Sequence, residues 1–253
     1  MSPLFIANWK MELSVVESCS IAQEIERGVG QTAFRGEIVL CPTFPALSAV
    51  GSELKAVFLG AQDCGWQERG AFTGVVSALT LKELGCRFVI VGHSERRRFC
   101  GESDARIAQK VRSALAAGLI PILCVGESWE QRQAGQRDRV LFQQVERALE
   151  GLLFEERAQR VLIAYEPIWV IGRGTAVEPS DIRHAREVIL TSLKEHYALD
   201  TIARAFSIIY GGSVNADNIA SIISESGMEG VLVGGASLKA HNVLSMLCAL
   251  STE

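Results

Sequence analysis

Nothing in this sequence reads as a membrane span. Its longest apolar runs are too short to cross a bilayer, and the opening Met1-Ser2-Pro3-Leu4-Phe5-Ile6-Ala7 carries neither a basic leader nor a separate cleavage site. An extended Lys/Arg-rich stretch is missing too. With 25 basic against 29 acidic residues and a net charge of −4, the chain offers no track for a phosphate backbone, which argues against nucleic acid as a partner. There is no Cys-x-x-Cys pair. The seven cysteines (Cys19, Cys41, Cys64, Cys86, Cys100, Cys124 and Cys248) are scattered and odd in number, a usage that suits buried free thiols in a reducing cytoplasm better than disulfides or zinc. No metal-ligand cluster, nucleotide fingerprint or activated Ser or Cys stands out, so the expectation is a soluble, unprocessed cytoplasmic protein that needs no cofactor and no metal.

What the sequence does have is a rhythm. Short apolar runs recur at Leu4–Trp9, Glu37–Cys41, Val57–Ala61, Phe88–Val91, Ile120–Val125, Val161–Tyr165, Phe206–Tyr210 and Gly230–Val233. Most are continuous rather than alternating, the signature of strands buried on both faces, as in a parallel sheet. Helix signals lie between them. Ser14…Glu17, Thr80…Glu83 and Ser128…Gln131 read as capping boxes, the last opening one charged helix towards Glu150. Gly85 and Gly118 read as helix ends, and Ile182, Ala185, Ile189 and Leu193 form a later apolar stripe. No linker or change of composition divides the chain. Eight β–α alternations therefore predict one domain over residues 1–253, of the α/β class, a (β/α)8 or TIM barrel whose closure removes both sheet edges. An open doubly wound sheet is the alternative, and the lack of a G-x-G-x-x-G after the first run counts against it.

Chemistry in such a barrel belongs at the carboxyl ends of the strands. Glu166 ends the sixth run, Pro167 breaks it, and a segment with Trp169, Gly172 and Gly174 follows, the pattern of a base under a closing loop. Alone, it would equally suit a surface ion pair over an ordinary turn. The fourth run, however, ends in Gly92-His93-Ser94-Glu95, where N–H dipoles at a helix start would favour a neutral imidazole able to donate to a carbonyl. The first run ends in Asn8-Trp9-Lys10, an amide and an ammonium suited to an anionic, oxygen-rich ligand. Gly211-Gly212-Ser213 and Gly234-Gly235 follow the last two runs, where such barrels bind phosphate. A phosphate grip, a carboxylate base and a polarising His and Lys together suit proton abstraction beside a carbonyl.

At these residues the sequence closely resembles the triosephosphate isomerase family, over essentially its whole length. The matching motifs are Asn8-Trp9-Lys10-Met11, Gly70 to Gly74, Val91 to Arg97, Cys124-Val125-Gly126-Glu127, Ala164 to Trp169, Tyr210 to Val214 and Val233 to Leu238. The resemblance implies a cofactor-free homodimer that interconverts dihydroxyacetone phosphate and glyceraldehyde 3-phosphate. Its standard division of labour between a Glu base and a neutral His falls on Glu166 and His93. It further implies Lys10 as an electrostatic clamp beside Asn8, Ser94 and Glu95 in support, and phosphate contacts from Gly172, Ser213, Gly234 and Gly235. The stretch from Gln62 to Ser77 resembles the family's interface loop, with Phe72 at the interface and Thr73 expected to reach the neighbouring subunit's site. Four features depart from the pattern: Ala7 and Glu12 around the first motif, Val75 where a Glu partner for Arg96 is usual, and Arg173 with the Thr175–Val177 hinge in the loop. A phosphorylated sugar one carbon longer is the alternative substrate on the same fold.

Overall fold

Eight strands follow one another in chain order around a closed, all-parallel sheet, each about as long as one apolar run of the sequence. The computed structural model describes residues 3–154, 159–170 and 177–251. In order the elements are β1 (Leu4–Asn8), α1 (Val15–Val29), β2 (Glu37–Cys41), α2 (Leu47–Glu53), β3 (Phe58–Ala61), α3 (Ala78–Glu83), β4 (Phe88–Val91), α4 (Ser94–Phe99), α5 (Asp104–Ala116), β5 (Ile120–Val125), α6 (Trp129–Gln133), α7 (Arg137–Leu149), β6 (Val161–Tyr165), α8 (Pro179–His196), α9 (Leu199–Ala205), β7 (Phe206–Tyr210), α10 (Ile219–Ser226), β8 (Gly230–Val233) and α11 (Ala240–Ala249). β1 closes the ring by pairing with both β2 and β8, Leu4 lying opposite Glu37 and Gly230. The (β/α)8 barrel predicted from the sequence is the fold observed.

The runs are continuous because each strand buries both faces. One set of alternate residues, including Leu4, Ile6, Val39, Cys41, Phe88, Ile90, Ile122, Cys124, Leu162, Ala164, Ile209 and Leu232, packs as one cluster that fills the barrel. The other set, including Phe5, Ala7, Leu40, Val89, Val91, Leu123, Ile163 and Val231, packs outward against the helices, whose stripes of Ala22 and Ile25, Ile107 and Val111, and Ile182, Ala185, Ile189 and Leu193 complete a larger cluster.

Local signals hold with two corrections. Ser14 does form a capping box: its hydroxyl accepts from Glu17 N–H at 3.3 Å and Glu17 accepts from Ser14 N–H at 2.8 Å. Thr80 does not cap α3. Ser77, three residues earlier, accepts from Thr80 N–H at 3.2 Å, which moves the start of the helix forward to Ala78. The charged segment after Ser128 is two helices and not one, because Gly135 takes φ +67°, a left-handed turn that closes α6 before α7 begins. β1 and β3 are each one residue shorter than their apolar runs. Trp9 still donates its N–H to Cys41 O, although its side chain packs on the outer layer.

Candidate active site

The alternation that fills the barrel continues past the strand ends and delivers the site. Leu4 and Ile6 are succeeded at the mouth by Asn8 and Lys10, Leu162 and Ala164 by Glu166, Ile209 by Gly211, and Leu232 by Gly234. With His93, Gly212, Ser213 and Gly235 these residues line a cavity of about 380 Å³.

Lys10 is the sole non-glycine with positive φ among the described residues, at +51°. That conformation costs a residue bearing a Cβ about 1–2 kcal/mol, and hydrogen bonds hold it. Asn8 Oδ1 accepts Lys10 N–H at 3.1 Å, while Gln62 Nε2 donates to Lys10 O at 2.7 Å and to Cys41 O at 2.9 Å. The ammonium pairs with Glu95 Oε1 at 2.5 Å. In the sequence Gln62 marks only the start of the expected interface loop, yet it carries a site signal too: it continues the inward set Phe58 and Gly60 by one more step.

Glu166 is buried and already bonded. Its Oε2 accepts Ser94 N–H at 3.0 Å and its Oε1 lies 3.0 Å from His93 Nε2. Burial pushes its pKa up, but the imidazole and the Ser94 N–H outweigh burial and hold the carboxyl below its ordinary 4.5. For His93 burial works against a positive charge, and the adjoining Glu166 carboxylate overcomes it, so the pKa rises. Glu95 N–H donates to His93 Nδ1 at 3.2 Å, which leaves the ring proton on Nε2 and directed at Glu166. The helix-start N–H expected from sequence is therefore present. The direct contact with Glu166, which draws the pKa the other way, was not foreseen.

The backbone beneath Glu166 is held closely. Glu166 N–H donates to Val125 O at 2.7 Å and Ile168 N–H to Glu127 O at 3.2 Å. Gly126 lies so near this crossing that a Cβ on it would stand 1.7 Å from Glu166 O. Gln144 of α7 grips both backbone polar groups of Gly126, accepting its N–H at 2.8 Å and donating to its O at 3.3 Å. Glu127, wholly buried, takes hydrogen bonds on one oxygen from Trp169 Nε1 at 2.9 Å and Tyr165 OH at 3.3 Å.

Of the residues expected from sequence, Asn8, Lys10, His93, Glu166, Ser213, Gly234 and Gly235 meet at the cavity. Ser94 and Glu95 touch it through Glu166 and Lys10. Behind Gly234 stands a short 3-10 turn, Gly235–Ser237, fixed by Ser237 Oγ donating to Gly234 O at 2.7 Å. Phe72 and Thr73 do not line the cavity; they sit in the exposed loop between β3 and α3, where Phe72 packs edge-on against Trp66. Gly172, Arg173, Thr175 and Ala176 lie outside the described residues. Arg96 keeps carboxylate partners despite Val75: it pairs with Asp63 at 2.9 Å and Glu102 at 2.7 Å within its own chain. Cys41, Cys64 and Cys124 are buried, and burial pushes the Cys64 thiol up to about 12 and the other two well above the ordinary range, so packing is their role.

The triosephosphate isomerase family model matches residues 3–250. A triosephosphate isomerase of Roseiflexus castenholzii is 43% identical over 254 residues, covering 100% of this chain and 99% of its own length. That of Chloroflexus aurantiacus is 44% identical over 97% of this chain and 98% of its own. Among solved structures, the crystal structure of triosephosphate isomerase from Bartonella henselae superposes with a TM-score of 0.87 at 33% identity, covering 99% of each chain.

Proposed function

This chain belongs to the triosephosphate isomerase family, and we propose that it interconverts dihydroxyacetone phosphate and D-glyceraldehyde 3-phosphate with Glu166 as the base. The observation that carries the reading is the single cavity at which a carboxylate, an imidazole, an ammonium and two glycine-rich turns converge. Gly234, Gly235 and Ser213 would hold the phosphate by close backbone approach. Glu166 removes a proton from C1 of the ketose. The charge that develops on O2 is met by the Lys10 ammonium and by Nε2–H of His93, with Asn8 beside them. Returning the proton to C2, while the proton of O1 passes to O2 by way of the His93 ring, yields the aldehyde.

Two features of the resting site bear on this sequence of steps. Glu166 must release Ser94 N–H and His93 before it reaches a substrate carbon. Once it has taken a proton or turned away, the carboxylate that raises the His93 pKa is gone. Burial and the Glu95 N–H then favour the neutral ring that donates to O2. The test is isomerisation by the purified protein on three- and four-carbon sugar phosphates, with Glu166→Asp alongside. The expected outcome is preference for the three-carbon substrate and, because one methylene misplaces the carboxylate, a kcat about a hundredfold lower in the variant. Undiminished activity of Glu166→Asp would remove it as the base, and faster turnover of the four-carbon compound would overturn the substrate. The relatives and the solved structure named above carry the triosephosphate isomerase name, so the longer sugar is not favoured.

The reading extends to a homodimer in the cytoplasm. An apolar cleft of about 750 Å³ opens beside Lys10, His93 and Glu95, lined by Met11, Leu13, Val15, Phe44 and Phe99. Met11 is 91% and Phe99 71% exposed, too much bare apolar surface beside a polar site to be left to solvent. A second copy's Phe72–Val75 tip, itself apolar and exposed, suits the cleft and would bring Thr73 to Lys10. Seven free thiols suit a reducing compartment.

A further inference from the structure

α6 poses a problem of economy. It is a five-residue helix in which no residue is buried, yet both its ends are defined, by the Ser128–Gln131 capping box and by the turn at Gly135. A short helix without a core face needs tertiary contacts to persist. Two of its residues, three apart and so on one side of the helix, are directed at the same target. The Trp129 ring lies 5.5 Å from the Trp169 ring at 49°, and the Arg132 guanidinium carbon lies 4.7 Å from the Trp169 ring. Arg132 is itself anchored by Asp181 at 2.6 Å, in the first turn of α8, and approaches Glu127 at 3.5 Å. Trp169 in turn donates to Glu127 and sits three residues after Glu166, in the turn whose Ile168 N–H is tied to Glu127 O.

We propose that Trp129 is a positioning residue for the isomerisation: with Arg132 it clamps the Trp169 indole onto Glu127 and so fixes the segment that carries Glu166. Resting on the assignment of Glu166 as base, the proposal gives α6 a function beyond linking β5 to α7. Trp129 touches no substrate. It acts through Trp169, and what matters is a flat aromatic face at position 129, not the indole N–H. Arg132 supplies the cation, which attracts the face of the Trp169 ring, and the anchor to α8 keeps that cation in place.

The experiment compares Trp129→Ala and Trp129→Phe with the unaltered protein by steady-state kinetics, thermal unfolding and near-ultraviolet circular dichroism. Trp129→Ala is expected to lower kcat by about tenfold, on the scale of one lost aromatic pair, with KM within about twofold. The paired-indole signal should vanish while the thermal midpoint stays nearly unchanged, since α6 contributes nothing to the core. Trp129→Phe should restore kcat. Unchanged kcat in Trp129→Ala would overturn the proposal, as would a loss that follows the thermal midpoint and is not rescued by Phe. Full activity in Glu166→Asp would instead strike at the base, leaving the indole signal to report the clamp by itself.

Discussion

Glu166 is poised by its neighbours before any substrate arrives. The donors that depress its pKa, His93 and Ser94 N–H, keep it ionised below the ordinary glutamate value of 4.5, so the acid limb of kcat/KM in the free enzyme should fall below that pH. Ser94 is the first helical residue of α4, and His93 before it has φ −50° and ψ 143°, a backbone that accepts a following proline. Ser94→Pro therefore removes the donor while sparing the helix. The acid limb should move to higher pH, and the fold should lose about 1.5–3 kcal/mol, the worth of a hydrogen bond to a charged group. The sign follows from linkage: a depressed carboxyl stabilises above its unfolded pKa, and that stabilisation is lost as pH falls through the folded value. An acid limb that stays in place in Ser94→Pro, read from pH–rate profiles, would mean Ser94 does not tune the base. Much of this site is legible in sequence because the inward parity of each strand runs on into the mouth, as at Asn8, Glu166 and even Gln62. The contact between His93 and Glu166 is not, since it joins residues on strands that are not neighbours in the sheet.

At the scale of elements, chain signals succeed where one residue decides and fail where two compete. The strands were readable because an apolar run needs both faces covered. The division between α6 and α7 was not, because the apolar stripe of Val140, Leu141, Val145 and Leu149 begins only after Gly135, so no interruption marks it. Gly135→Ala must hold a residue with a Cβ in the left-handed turn or re-aim α6; chemical denaturation should record a loss of about 1–2 kcal/mol. The crossing of β5 and β6 is stricter still. Gly126→Ala would push a methyl into Glu166 O, so the backbone itself must yield. A stability loss of about 1–3 kcal/mol or more is expected, with kcat falling further than stability alone explains because the displaced backbone carries Glu166, the proposed base. A variant with unchanged activity would show that the crossing has slack.

For the whole molecule, the charges around Arg96 matter more than the missing Glu at position 75. Lys110, only 3% exposed in its side chain, binds Asp63 at 2.6 Å and Glu102 at 2.5 Å, and Arg96 closes the set. In the proposed dimer Arg96 would enter the interface already neutralised, and Val75 would bring an apolar surface in place of a charge. Dissociation of that dimer, followed by mass photometry or sedimentation, should change by less than about threefold between low and molar salt, because Arg96 already has its carboxylates within its own chain. A steep salt dependence would return the interface to ionic control. Lys110→Met should cost about 3–5 kcal/mol, leaving two carboxylates buried with Arg96 as their only cation. This network is not visible in the sequence, where Asp63, Glu102 and Lys110 look like unrelated surface charges and Arg96 is expected to seek its partner across an interface.

The left-handed backbone at Lys10 has a consequence for anyone improving this protein by selection. Glycine at position 10 would relieve about 1–2 kcal/mol of backbone strain and forfeit only a half-exposed ion pair of small worth. A screen that rewards heat resistance alone should therefore enrich Lys10→Gly, and those survivors should be the slowest enzymes in the pool.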